Sequence, residues 1–235
     1  MQLRRVDRVL RIGHKGAAAL APENTIESLA AAVRAGVDLV EFDVLGLDGR
    51  VVLGHSRHEL PTALATLDDA LEELGPHRVG VHVDVKEAGH EPEIVAALRR
   101  HDLTDRALVS TFLASSLRRF AELEPELSRA ISYPEDRYGL TRSRLAYPFT
   151  LGAAAAIRRV LPHRIPLLLA RAGATVASLH FAVLSAAAVA RCHALGVPVI
   201  AWTVDDPALL ARLDGIGVDA VVSNDPRIFL ATLNQ

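Results

Sequence analysis

Cysteine is nearly missing from this chain. Cys192 stands alone among 235 residues, which excludes an internal disulfide and fits a reducing compartment. Long apolar runs are missing too: no uninterrupted stretch approaches the roughly 20 residues that span a bilayer. The charged segment Met1 to Arg11 reaches a core strand too soon to hold the apolar stretch of a secretory signal. A cytoplasmic location is the expectation. No bulk charge of one sign exists, the formal net charge being -2. With no basic run interleaved with aromatics, nucleic acid is not an expected partner. Aromatic residues make up 4% of the chain, and Trp202 is the single tryptophan. Lysine is almost as scarce, because among 26 Lys and Arg residues only Lys15 and Lys86 are lysine.

Half of the residues are apolar, enough for a full core at a length that suits one α/β barrel as well as two small domains. One domain over residues 1–235 is the expectation. Val-rich runs alternate with Ala- and Leu-rich helical stretches, the pattern of parallel strands covered by helices. Strands are expected near 9–14, 38–44, 80–86, 106–111, 128–132, 174–179, 197–204 and 219–223, which reads as a (β/α)8 TIM barrel of α/β class. The first helix has Asn24 as its candidate cap, Glu27 three residues on, Gly36 at its end, and Ile26, Leu29, Ala30 and Val33 as its buried stripe. After the second strand, Asp48-Gly49 marks a turn, and Val51 to Leu53 return as a hairpin carrying His55 back to the mouth. The run Tyr133 to Ala172 is long for one connection, with Pro134, Pro148, Pro162 and Pro166 and a helical stretch near Ala153 to Val160. A lid, an interface and a surface excursion are its open readings, and its apolar stretch Leu167 to Ala170 is a candidate contact for an acyl chain or a bulky alcohol.

Polar residues gather where these apolar runs end: Gly13-His14-Lys15-Gly16, Pro22-Glu23-Asn24-Thr25, Glu41-Phe42-Asp43, Gly54-His55 and Asp84-Val85-Lys86. Side chains alternate along a strand, so Glu41 and Asp43 share one face against Val40, Phe42 and Val44. His82, Asp84 and Lys86 share a face against Val81, Val83 and Val85. Ionised groups packed against helices would be unpaired and costly, so these faces point into the barrel, toward the C-terminal strand ends where such barrels keep their sites. Two imidazoles, His14 and His55, suit proton transfer near neutral pH. Glu41, Asp43 and Asp84 supply oxygen donors for a hard divalent cation, Mg2+ or Ca2+ with Mn2+ a further candidate. Lys15 and Lys86 offer ammonium groups to a phosphate or salt-bridge the neighbouring acids. Trp202 either lines the substrate pocket or fills the barrel. His82 lies deeper and reads as a core residue.

In their order and spacing these motifs resemble the glycerophosphodiester phosphodiesterase family, a barrel related to the phosphatidylinositol-specific phospholipases C. Its pattern runs His-Arg-Gly, Pro-Glu-Asn-Thr, Glu-x-Asp-Val, Asp-Gly, His-Asp and Glu-x-Lys. Thr111-Phe112, Ala201-Trp202-Thr203-Val204-Asp205 and Gly217 to Pro226 extend the match over nearly the whole chain. Four departures stand out: Lys15 for Arg, Asp84 for Glu, Ser56 for the Asp after the second His, and a stretch Ser56 to Val83 shorter than the family's insertion there. The shortened insertion predicts an open pocket. The resemblance implies metal-dependent hydrolysis of a glycerophosphodiester or lysophospholipid, one His activating the attacking oxygen while the other protonates the leaving alcohol. Lysophospholipase D or sphingomyelinase D-like activity is the alternative, and a non-catalytic barrel binding a phosphorylated ligand the second.

Overall fold

Val-rich strands that bury both faces need helices outside and a filled interior, and this chain supplies both. The structure, a computed structural model, describes residues 1, 3–61, 64–135 and 147–230, the side chains of 147–151 excepted. Its strands are β1 Leu10–Gly13, β2 Leu39–Leu47, β3 Arg50–Leu53, β4 Gly80–Val85, β5 Ala107–Thr111, β6 Ser128–Tyr133, β7 Val176–His180, β8 Val199–Trp202 and β9 Ala220–Ser223. All but β3 are parallel, and the β1–β2 pairing closes them into a ring. The fold is a (β/α)8 barrel, with each expected strand in place. β3 pairs antiparallel with β2 as the expected hairpin, and its turn residues Asp48 and Gly49 both have positive φ, which two-residue hairpin loops require.

Helices α1 Ile26–Arg34, α2 Leu67–Leu74, α3 Glu91–Arg100, α4 Ala114–Leu123, α5 Tyr147–Ala172, α6 Ala186–Ala194 and α7 Pro207–Gly215 pack outside. The outer core includes Val40, Phe42, Val44, Val81, Val83 and Val85, the strand faces opposite the acids. A separate inner core of Leu3, Ile12, Leu39, Leu108, Val176 and Ile200 fills the barrel's N-terminal half. Met1 reaches it from below: a Cβ added to Gly80 would stand 3.3 Å from the Met1 sulfur. The interior is therefore apolar and plugged at one end, polar at the other.

Two expectations are corrected. α1 is capped by Thr25, whose hydroxyl accepts from Ser28 N–H, and not by Asn24. Its buried residues are Ser28, Leu29, Ala31 and Ala32, while Ile26 and Val33 of the expected stripe pack partly buried on the core and Ala30 is half-exposed. The second concerns Tyr133 to Ala172. Tyr133 ends β6, residues 136–146 of that run lie outside the described ones, and Tyr147–Ala172 is one helix, α5, that continues through Pro162 and Pro166. Leu161, Ile165, Leu169 and Ala172 form a helical stripe buried against the barrel, and that burial outweighs the backbone bonds the prolines remove. The α5 C-terminus leads into β7, at the end of the barrel away from the site. Within Leu167 to Ala170, Leu169 is buried and Leu168 packs partly on the core, whereas Leu167 and Ala170 are exposed on the outer face of the helix.

Candidate active site

The loop after β1 brings His14 and Lys15 over the barrel mouth. It can turn this tightly because Gly16 has φ +82° and no Cβ; one added there would lie 2.5 Å from the Ser28 carbonyl carbon. The Lys15 N–H then donates to Glu41 Oε2 at 2.7 Å. Glu41 and Asp43, at 3% and 1% exposure, project inward from β2 beside Asp84 of β4, and one oxygen from each of the three lies within 4.8 Å of the others. Burial, followed by the charges of Asp43 and Asp84, pushes the Glu41 carboxyl well above the usual carboxylate range. Asp43 goes the other way. Burial opposes its ionisation, but the Lys86 ammonium and the His55 hydrogen bond outweigh that and hold it well below the usual range.

Lys86 sits among these acids, with its Nζ 2.7 Å from Asp43 Oδ1 and a hydrogen bond to Asp84 Oδ2. Burial works against its charge, yet Asp43, Asp84 and Glu41 together raise its pKa further above the ordinary lysine value. Lys15 is tied to Glu23 at 2.9 Å and stands 4.0 Å from Asp43. His55 Nδ1 lies 3.1 Å from Asp43 Oδ2. The orienting carboxylate that Ser56 cannot offer thus comes from β2.

His14 Nδ1 lies 2.6 Å from Asn224 Oδ1, and its Nε2 is 4.0 Å from Glu41. Asn224 is held in turn by Asp205, which accepts from its Nδ2 at 2.6 Å and its backbone N–H at 2.8 Å. A carboxylate only accepts, so the Asn224 oxygen must face His14, and Nδ1 carries the proton. Burial, partly offset by Asp43 and the Asn224 bond, lowers the His14 pKa, and Lys15 and Lys86 lower it further. Its Nε2 is therefore an unprotonated acceptor at neutral pH.

His14, Lys15, Glu41, His55, Asp84, Lys86 and Trp202 all line one pocket of about 210 Å³, while Asp43 supports it from beneath. The expected site residues are brought together without exception. Trp202 both lines the pocket and packs on the inner core, edge-on to Phe112 and His180. His82 is buried as expected, its pKa pushed down to about 4 first by burial. Its Nε2 meets the Ser110 hydroxyl at 2.8 Å, and Ser110 donates onward to Asp84. Beyond the Lys15–Glu23 pair lies a wider open groove of about 770 Å³, bordered by Pro22, Ile26, Leu60, Pro61 and Leu64.

Sequence reasoning missed three supports. Asn24 is buried with φ 57°, donates from Nδ2 to Asp43 Oδ2 at 3.0 Å and accepts the Asp43 N–H at 2.9 Å. Two cap-competent residues in a row, Asn24-Thr25, were the available signal, since one helix uses only one of them. Asn224 and Asp205 left no signal beyond their place in strand-end motifs. Ser110, Ser132 and Ser178 were legible as inward-parity positions of their strands.

The pattern defining the Glycerophosphoryl diester phosphodiesterase family matches residues 14–71 and 65–228 of this sequence. The chain belongs to that family. It is a phosphoric diester hydrolase by that membership. Among curated proteins, a glycerophosphodiester phosphodiesterase of Caldanaerobacter subterraneus subsp. tengcongensis is 22% identical, over 95% of this chain and 97% of its own. Among solved structures, a glycerophosphodiester phosphodiesterase of Parabacteroides distasonis aligns with TM-score 0.75 at 21% identity, over 97% of this chain and 98% of its own. An Oleispira antarctica phosphodiesterase, solved with the product sn-glycerol-3-phosphate, aligns with TM-score 0.73 at 24% identity over 97% and 98%. Family and fold thus agree over nearly the full length. No described helix is long and apolar enough to cross a membrane.

Proposed function

We propose that the chain hydrolyses glycerophosphodiesters to sn-glycerol 3-phosphate and an alcohol, with His14 as general base and His55 as general acid. The observation that carries this is the unlike wiring of the two imidazoles on one pocket. His14 donates Nδ1–H to a neutral amide and sits beside two ammonium groups, so it is neutral and its Nε2 can take a proton from the attacking water. His55 faces the Asp43 carboxylate at 3.1 Å, a ready counter-ion for a ring that carries a proton to the leaving oxygen. Lys15 and Lys86 attract and orient the phosphoryl group.

The triad suits a cation: its donors are all oxygen, and burial, then the charges of Asp43 and Asp84, push Glu41 toward the neutral acid. Glu41, Asp43 and Asp84 would hold a divalent ion, whose chemistry when bound is to polarise a phosphoryl oxygen and offset charge gathering there. The test is a panel of glycerophosphodiesters and lysophospholipids assayed with Mg2+, Ca2+ and Mn2+, products followed by 31P NMR. sn-Glycerol 3-phosphate is the expected product; release of a phosphorylated alcohol, or no turnover with any ion, overturns the reading.

Asn224 gives a finer prediction. Its bond favours the protonated form of His14, so Asn224→Ala should lower the His14 pKa further. A base must be unprotonated, so the acidic limb of the rate profile should move to lower pH. Loss of one orienting hydrogen bond should also reduce turnover about three- to tenfold. An unshifted acidic limb would remove His14 as the titrating base.

A further inference from the structure

The formal net charge of -2 conceals a division along the chain. Residues 137–204 hold eight arginines and neither Asp nor Glu, a formal +8 set against -10 for everything else. In the fold that run supplies α5 and α6, which pack side by side outside β6, β7 and β8. Arg158, Arg159, Arg164 and Arg171 of α5 and Arg191 of α6 are all exposed, and among the described residues no carboxylate pairs with any of them. Elsewhere Arg8, Arg57 and Arg99 each pair with an Asp or Glu. Apolar side chains stand between the unpaired cations. Val160 and Leu167 are 45% and 53% exposed, and Leu195, just past α6, is 43% exposed. At about 100° per residue, Ala156, Val160, Leu167 and Ala170 share one stripe of α5 with His163, with Arg159 along one edge and Arg164 and Arg171 along the other. This stripe lies opposite the buried one of Leu161, Ile165, Leu169 and Ala172. The helix is thus largely apolar on two opposite faces, and the outer one is rimmed by arginine.

We propose that this outer face of α5, extended by Arg191 and Leu195, rests on an anionic lipid surface. A charge division of this size along one chain is what attraction to a polyanion requires. A second copy of the chain would bring like charges together. The interleaved aliphatic groups select lipid among polyanions, because a convex helix can sink Val160 and Leu167 to the acyl boundary while its guanidinium groups stay among the head groups. Nucleic acid would leave those aliphatic groups in water, and an acidic peptide helix is ordinarily held in a groove. Since α5 runs along the barrel wall, the mouth then opens beside the membrane and not into it. The proposal goes beyond the phosphodiesterase reading and does not rest on it.

The test is flotation of the full chain with vesicles of phosphatidylcholine alone and of equal parts phosphatidylcholine and phosphatidylglycerol. Binding to the anionic vesicle should exceed binding to the neutral one by about tenfold or more. It should fall steeply as salt rises from about 0.1 M to about 1 M, which shortens the screening length from roughly 10 Å to 3 Å. Arg159→Gln, Arg164→Gln and Arg171→Gln should each weaken partitioning about fivefold, whereas Arg34→Gln, at an exposed cation of α1 across the ring, should leave it unchanged. Leu167→Ser should weaken it about three- to tenfold with the salt dependence kept. Melting curves report that each variant is folded. Equal binding to both vesicles, no binding to either, or native binding by the α5 variants overturns the proposal. Binding to duplex DNA as tight as to the anionic vesicle also overturns it, as does a dimer in solution that Leu167→Ser dissolves.

Discussion

His14→Ala and His55→Ala are each expected to lower turnover by roughly 10²–10⁴-fold, the usual effect of losing a general acid or base. The two losses should not be redundant, because the rings are wired to different partners, Asn224 and Asp43, and are proposed to act on opposite sides of one phosphorus. His14 touches no carboxylate closer than 4.0 Å, so its removal should leave cation binding nearly intact. His55 contributes to holding Asp43 ionised, so its removal should weaken cation binding somewhat. Steady-state rates, melting curves and calorimetric titration with Mg2+ or Ca2+ separate these effects. Native turnover in either variant would remove that ring from the mechanism.

Chelation should abolish activity and a hard divalent ion should restore it, with Asp43→Asn preventing the restoration. Asp43 is the group to change because it is the carboxylate held ionised at the bottom of the cluster, 1% exposed, with Lys86, His55 and Asn24 all upon it. The pH dependence of binding follows from Glu41. Its pKa is raised, so a cation must displace a proton to use that oxygen, and affinity should rise as pH rises through the Glu41 transition. Calorimetry in buffers of different ionisation enthalpy would count the protons released. Zero protons released, or full activity after exhaustive chelation, contradicts a cation at the triad.

Strand positions and the polarity of the barrel were legible because both rest on period-two alternation. Glu41, Asp43, His82 and Asp84 alternate with valines and a phenylalanine, and ionised groups have only one affordable direction. The residues behind the site were less legible. Asn24 and Asn224 act through contacts 19 and 210 residues away in sequence, and nothing local distinguishes them from cap or turn asparagines. The α5 segment misled for a different reason. Pro162 and Pro166 carry a strong local signal for a break, whereas the buried stripe Leu161, Ile165, Leu169 and Ala172 that overrides it is a tertiary effect. Ser56 misled similarly: the missing neighbour of His55 is supplied from another strand.

The plug of Met1, Leu3 and the inner apolar layer closes the N-terminal end of the barrel, so among the described residues the site opens at the C-terminal mouth. Both fragments of a cleaved diester must leave the way the substrate came.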